Sequence, residues 1–361
     1  MKSIYFTVIA LCSLQVTTAQ DSTKKENNFT LSGYLEAYYS HDFNRPLNNT
    51  RPGFVYSHNR TAEATVNLVF LKGNFNNSKT RANIALAAGT YINANLAAEP
   101  GVLRNIYEAN AGLKISKNSD VWIDAGIMPS HIGFESAIGK DNWTLTRSIL
   151  ADNSPYYEAG VKLGYTSKDS KLYLAVMYLN GWQRIQRVDA NTTPAFGTQI
   201  TYKPSSSVTL SYSTFAGNDK PDSVRQMRYF NNVYAVLQLG KKLGITAGFD
   251  FGAEQKTKGS NNFNTWYSPV LMIKFSADNK NAVAIRAEYY NDETGVIINS
   301  GTPNGFKTYG SSINYDRKIT GNALWRVEVK TLKSEDAIFL KRDLTTTKNS
   351  TTVSTALALS F

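Results

Sequence analysis

At 361 residues, with 21 Tyr, 17 Phe and a single Cys, the chain is aromatic-rich yet hydrophilic, with a mean hydropathy of −0.32. It is long for one soluble domain, and no run after Gln20 approaches the roughly 18 consecutive apolar residues of a membrane helix. The net charge is +11, but Lys and Arg are scattered along the chain and form no stripe on one element, which argues against a nucleic-acid partner.

Met1–Gln20 reads as a secretory signal: Lys2 is the charged start, Ile4–Leu14 the apolar core, and Thr17-Thr18-Ala19 the small residues before a cut. The only cysteine, Cys12, lies inside it, and Leu11 before that cysteine argues against lipoprotein processing. The mature chain then has no disulfide and no thiolate metal site, and neither metal nor cofactor is expected. Asp21–Asn28 is a short polar periplasmic lead-in, too short for the plug of an energy-driven transporter.

From Phe29 onward the chain divides into about 16 alternating runs, the pattern of strands with two unlike faces. The first eight are Phe29–Ser40, Arg60–Lys72, Thr80–Tyr91, Arg104–Ile115, Asp120–Met128, Pro155–Thr166, Lys171–Asn180 and Ala195–Lys203. The rest are Val208–Ala216, Tyr229–Leu239, Gly244–Glu254, Phe263–Phe275, Asn281–Asn291, Gly305–Tyr315, Ala323–Lys333 and Ser350–Phe361. Long and short connections alternate without exception. A transmembrane antiparallel β-barrel has this rhythm: an even strand number, short periplasmic turns and long extracellular loops, with both termini periplasmic. A soluble sandwich has no reason to obey it.

The aromatics agree. On the apolar alternate sets, Phe70, Tyr165, Tyr202, Phe275, Tyr315 and Phe361 fall at the periplasmic ends, and Tyr39, Tyr107, Tyr157, Phe196, Phe251, Tyr267 and Tyr289 at the other rim. Two such belts flank the lipid-facing band of a membrane barrel. The last run, STTVSTALALSF, places Phe361 at the end of its apolar set. Barrels of this kind end on such a strand, whose last Phe the barrel assembly machinery recognises, so Phe361 is expected to be the assembly signal.

The opposite alternate sets carry charge of both signs, costly in a dry core but cheap beside water. The expected pore lining is Glu36, Glu63, Arg81, Glu108, Lys114, Asp124, Glu158, Lys162, Asp250, Lys274, Arg286, Glu288, Arg326, Glu328 and Lys330. Lys79, Lys117, Lys168, Lys241, Lys242, Lys280, Arg317 and Lys318 fall in or beside periplasmic turns, so total charge is a poor guide to ion selectivity.

The longest connection, Pro129–Ser154, is not polar throughout: it holds Ile132, Phe134, Ile138, Trp143, Leu145, Ile149 and Leu150. Asp141 is placed as an N-cap for two helical turns over Trp143–Leu150. Such a segment needs a surface, and Tyr34, Tyr38 and Trp122 on the inner wall offer one. The loop is expected to fold inward and narrow the bore, with Glu135, Lys140, Trp143, Arg147 and Asp152 at the constriction. A cap over the mouth, or a latch onto a neighbouring barrel, is the competing placement.

GYLEAYY (33–39), RNIYEANAG (104–112), AGIMPSHIGFES (125–136), SPYYEAGVKLGY (154–165) and NGW (180–182) together resemble the OmpL-like β-barrel porins in order and spacing. The resemblance implies an outer-membrane pore and brings no catalytic residues. An enzyme reading finds little support. His41 and His58 flank the first outer loop, His131 follows the fifth run, and none stands on an outward strand position where a barrel lipase would need it. The chain therefore reads as a Gram-negative outer-membrane porin for passive diffusion of small hydrophilic solutes, contacting lipid and the assembly machinery, with room for a homo-oligomer. The alternative is a non-transport barrel, adhesive or structural, that displays its loops.

Overall fold

A computed structural model describes residues 28–361. The signal at 1–20 and nearly all of the lead-in at 21–28 lie outside the described residues. Sixteen strands close into one antiparallel barrel: β1 (Phe29–Asp42), β2 (Ala64–Asn76), β3 (Thr80–Ala88), β4 (Ile106–Lys114), β5 (Asp120–Pro129), β6 (Tyr157–Thr166), β7 (Leu172–Leu179) and β8 (Ala195–Ser205). Then come β9 (Val208–Gly217), β10 (Arg228–Leu239), β11 (Leu243–Gln255), β12 (Phe263–Ser276), β13 (Asn281–Asp292), β14 (Phe306–Lys318), β15 (Ala323–Ser334) and β18 (Asn349–Ser360). A small ribbon, β16 (Phe339–Leu340) with β17 (Thr346–Thr347), stands in the last outer loop. Chain neighbours pair throughout, and the seam is β1 against β18, from Tyr34↔Ser360 to Asp42↔Thr352. The seam leaves no open sheet edge, as a barrel in lipid requires.

The outer wall is apolar, with Phe196, Phe251, Tyr267, Tyr202, Phe275 and Phe361 exposed on it. Three expected belt residues are not there. A bulge in β1–β2 pairs Glu36 with Leu68 and Ala37 with Val66, so Asn67 is an extra residue. Beyond it the faces of β2 exchange, and Phe70 turns inward onto Tyr34, their rings 5.6 Å apart. A second bulge, between Ala85 and Leu86 opposite β4, makes Tyr107 the extra residue, stacked on Phe70 at 5.4 Å. One inserted residue flips every later side chain to the other face. Tyr157 is buried at the outer mouth, its hydroxyl donating to Glu99 at 2.9 Å.

The third run also ends early. β3 stops at Ala88, and Tyr91 falls in a short helix, α1 (Thr90–Asn95). Gly89 makes that corner with φ 125, its Cα pressed against the Asn67 carbonyl where a side chain has no room.

Candidate functional site: the barrel lumen

The connection 130–156 enters the lumen and lies against β12 to β15. Its main chain is fastened by side chains of the wall. Leu145 N donates to Asn314 at 3.0 Å, Thr146 N to Glu328 at 2.5 Å, and Ile149 N to Glu288 at 2.6 Å. Carbonyls are held in turn: Arg286 donates to Thr146 O at 2.7 Å, Lys330 to Arg147 O at 2.9 Å, and Arg326 to Gly139 O at 2.6 Å and Asn142 O at 2.9 Å. These bonds displace helical ones. The helix expected over Trp143–Leu150 does not form: Asp141 closes a 3₁₀ turn (Gly139–Asp141), and the only helical stretch of the loop beyond it, α2 (Ile149–Asp152), is capped by Ser148. The wall had claimed the groups that the helix needed.

The loop's rings sit where the wall has no side chain. Trp143 covers Gly244, Phe134 covers Gly248, and the His131 ring covers Gly197. At the loop's start, His131 bridges two strands, with Nδ1 2.8 Å from Glu158 Oε1 and Nε2 2.8 Å from Thr214 O. Both acceptors are satisfied at once only when both ring nitrogens carry protons. Burial works to lower the pKa of His131, but the Glu158 charge and hydrogen bonds outweigh it, and the net shift is upward. On the other side, Lys140 Nζ reaches Ser360 Oγ at 2.8 Å and Leu145 packs on Tyr38. Tyr34 and Tyr38 thus belong to the loop's seat, whereas Trp122 lies under Arg81, 4.3 Å from its centroid.

The expected pore-lining residues divide by position. Arg286, Glu288, Arg326, Glu328 and Lys330 are buried beneath the loop, and so, near its start, are Glu158 and Asp250. Glu36 is buried between Asn67, at 2.7 Å, and His58, at 3.3 Å. Lys274 is half-buried on β12 next to Gly244, the seat of Trp143. Facing the loop, Arg81, Lys162 and Asp124 form one partly open cluster, with Lys162 Nζ 4.0 Å from Asp124. Lys72 pairs with Glu108, and Lys114 with Asp120 at 3.2 Å. Glu63 is not on a strand: it precedes β2 and pairs with Arg60 at 2.8 Å in the first outer loop. Lys72 was missed because only the β1–β2 bulge turns it inward.

Of the expected constriction residues, Arg147 lies between the rings of Tyr91 and Tyr156, 4.4 and 4.7 Å from their centroids. Its Nε donates to Ser136 O at 2.9 Å, and Asp152 is 3.8 Å away. Glu135 accepts from Ser148 N at 3.1 Å. Burial pushes the carboxyls of Glu135 and Asp152 up. Glu135, Arg147 and Asp152 thus hold the loop's interior together, while Glu135 and Asp152 also border cavities beside it. Lys140 and Trp143 stay half-buried. Between the loop and the wall of β2 and β4 lies a cavity of about 310 Å³, bordered by Lys72, Glu108, Phe134 and Ser136.

The family model described as "Putative beta-barrel porin-2, OmpL-like" matches residues 28–361. The chain belongs to this family. It is an outer-membrane porin, a channel-forming barrel of the bacterial outer membrane. No curated relative matches the porin. Among solved structures, the anion-selective porin from Comamonas acidovorans is 10% identical over 92% of this chain and 99% of its own, with a TM-score of 0.60. The trimer form of OmpT from Vibrio cholerae is 9% identical over 92% and 99%, with a TM-score of 0.58. Pseudomonas putida OprB is 9% identical over 92% and 94%, with a TM-score of 0.57. At these identities the likeness is one of fold.

Proposed function

We propose that the porin passes small hydrophilic solutes passively, that its path runs between the seated loop and the wall of β2 to β6, and that loop 129–154 is the constriction. The observation that carries this is the fastening of Thr146, Arg147 and Ile149 to β13 and β15, which occupies one side of the lumen. The other side keeps the partly open Lys72, Arg81, Lys114 and Lys162. No catalytic role is assigned to any residue. The apolar outer wall suits lipid, Phe361 beside the seam suits recognition by the assembly machinery, and the trimeric OmpT makes a homo-oligomer the natural assembly to test. Planar-bilayer recording of the purified barrel, with and without Ala137–Ile149, is the test. A conducting parent and a clear rise in the deletion support the reading. A folded barrel that never conducts favours the loop-displaying alternative, and equal conductance removes the constriction.

A further inference from the structure

We propose that the outer mouth of the barrel holds a binding site for a small organic carboxylate with an apolar body. The site is a cavity of about 410 Å³ bordered by Trp182, Arg184, Lys220, Arg228 and Ile297. It rests on the porin reading only for standing on the solute path; its chemistry rests on these residues. The Trp182 ring is fixed edge-on by Phe215 and Phe230, at 5.0 and 4.8 Å, and with Val296 and Ile297 makes an apolar side.

Three cations border the cavity, and two are already matched. Arg228 pairs with Glu254 at 2.6 Å and Asp219 at 3.5 Å, and Lys220 pairs with Glu254 at 2.9 Å. Arg184 has no ion pair among the described residues, and its buried Nε has no hydrogen-bond partner. The acids nearby are engaged: Asp219 accepts from Trp182 N at 2.9 Å as well as pairing with Arg228, Asp152 faces Arg147, and the buried Glu99 accepts from the Tyr157 hydroxyl and from Ile185 N and Gln186 N at 2.9 and 3.1 Å. Among the three cations Arg184 is thus the one whose guanidinium has no acid within salt-bridge distance among the described residues, on a cavity that the Trp182 ring also borders, with Arg228 5.4 Å from that ring's centroid. A guanidinium fork takes a carboxylate through two parallel hydrogen bonds, and the ring beside it takes a flat apolar body. A bare inorganic anion satisfies the fork but leaves the apolar side empty.

The test uses the full barrel folded in detergent, titrated with benzoate, benzamide and inorganic phosphate by calorimetry. Benzoate should bind at least tenfold more tightly than either control. Arg184→Gln should lose at least tenfold, while Arg184→Lys retains part of the affinity, both with unchanged heat-modifiable migration. Benzamide or phosphate binding as well as benzoate, an unaffected Arg184→Gln barrel, or no benzoate binding each overturns the site. Potassium chloride conductance on the same preparation separates the two readings. A conducting barrel that ignores benzoate overturns this site alone, and a binding barrel that does not conduct overturns passive diffusion alone.

Discussion

Lys330 Nζ donates to the main-chain carbonyl of Arg147 across 2.9 Å, joining a strand to a loop residue 183 positions earlier. Arg326 works in the same way on Gly139 and Asn142 while its Nε holds Asp316 at 2.7 Å. Arg326→Met removes the loop's donors and leaves a buried carboxylate unpaired, which costs on the order of 3–5 kcal/mol. The expected outcome is a lower thermal midpoint with larger and noisier single-channel currents. A variant that melts and conducts like the parent contradicts the fastening.

His131 makes the fastening pH-dependent. Its pKa is raised by folding, so this contribution is complete below about 6.5 and is lost as pH rises through the higher folded value. Current fluctuations should therefore grow as pH rises above about 6.5, and His131→Phe should abolish that dependence. Fluctuations that grow on acidification instead give the wrong sign and reject the lock.

Gly248 is the seat of the Phe134 ring, and a β-carbon there meets the ring directly. Gly248→Val should lift Phe134 at a cost of about 1–3 kcal/mol and raise conductance in a barrel that still closes. Identical conductance shows that the loop repacks elsewhere.

The partly open wall carries Lys72, Arg81, Lys114 and Lys162 against Glu108, Asp120 and Asp124. A slight anion preference follows, fading as salt shortens the screening length to about 8 Å near physiological strength. Reversal potentials under a salt gradient measure it, and strong cation selectivity contradicts the assignment of these faces.

Phe361 is tied to Gly33 by paired main-chain bonds of 2.7 and 3.0 Å, and its ring covers the Gly33 Cα. Deleting Phe361 should reduce the heat-modifiable, folded fraction in the outer membrane. Equal abundance rejects an assembly role.

Much of this was legible in the sequence. Period-2 alternation is a local signal, so sixteen strands and the alternation of loops can be read residue by residue. The bulges at Asn67 and Tyr107 cannot: one extra residue in a ladder has no compositional mark, and it reversed the expected faces of Phe70 and Lys72. Alternation tells which side a charge faces but not what lies on that side. Arg286 and Glu288 looked like pore lining, and their partners, Thr146 and Ile149, stand 140 and 139 residues away. The three glycine seats were unreadable for the same reason, since a missing side chain signals nothing until a ring fills the space.

The seam has a consequence in time. Ser40 and Ser354 share a 2.6 Å hydrogen bond across the β1–β18 junction, 314 residues apart. Hairpins form locally and fast, but closing so long a chain segment carries a large entropic delay. Until β18 arrives, β1 presents an unpaired edge that invites pairing with other chains. The barrel's hazardous interval is thus the wait before closure, while the edge that β18 will cover stands open.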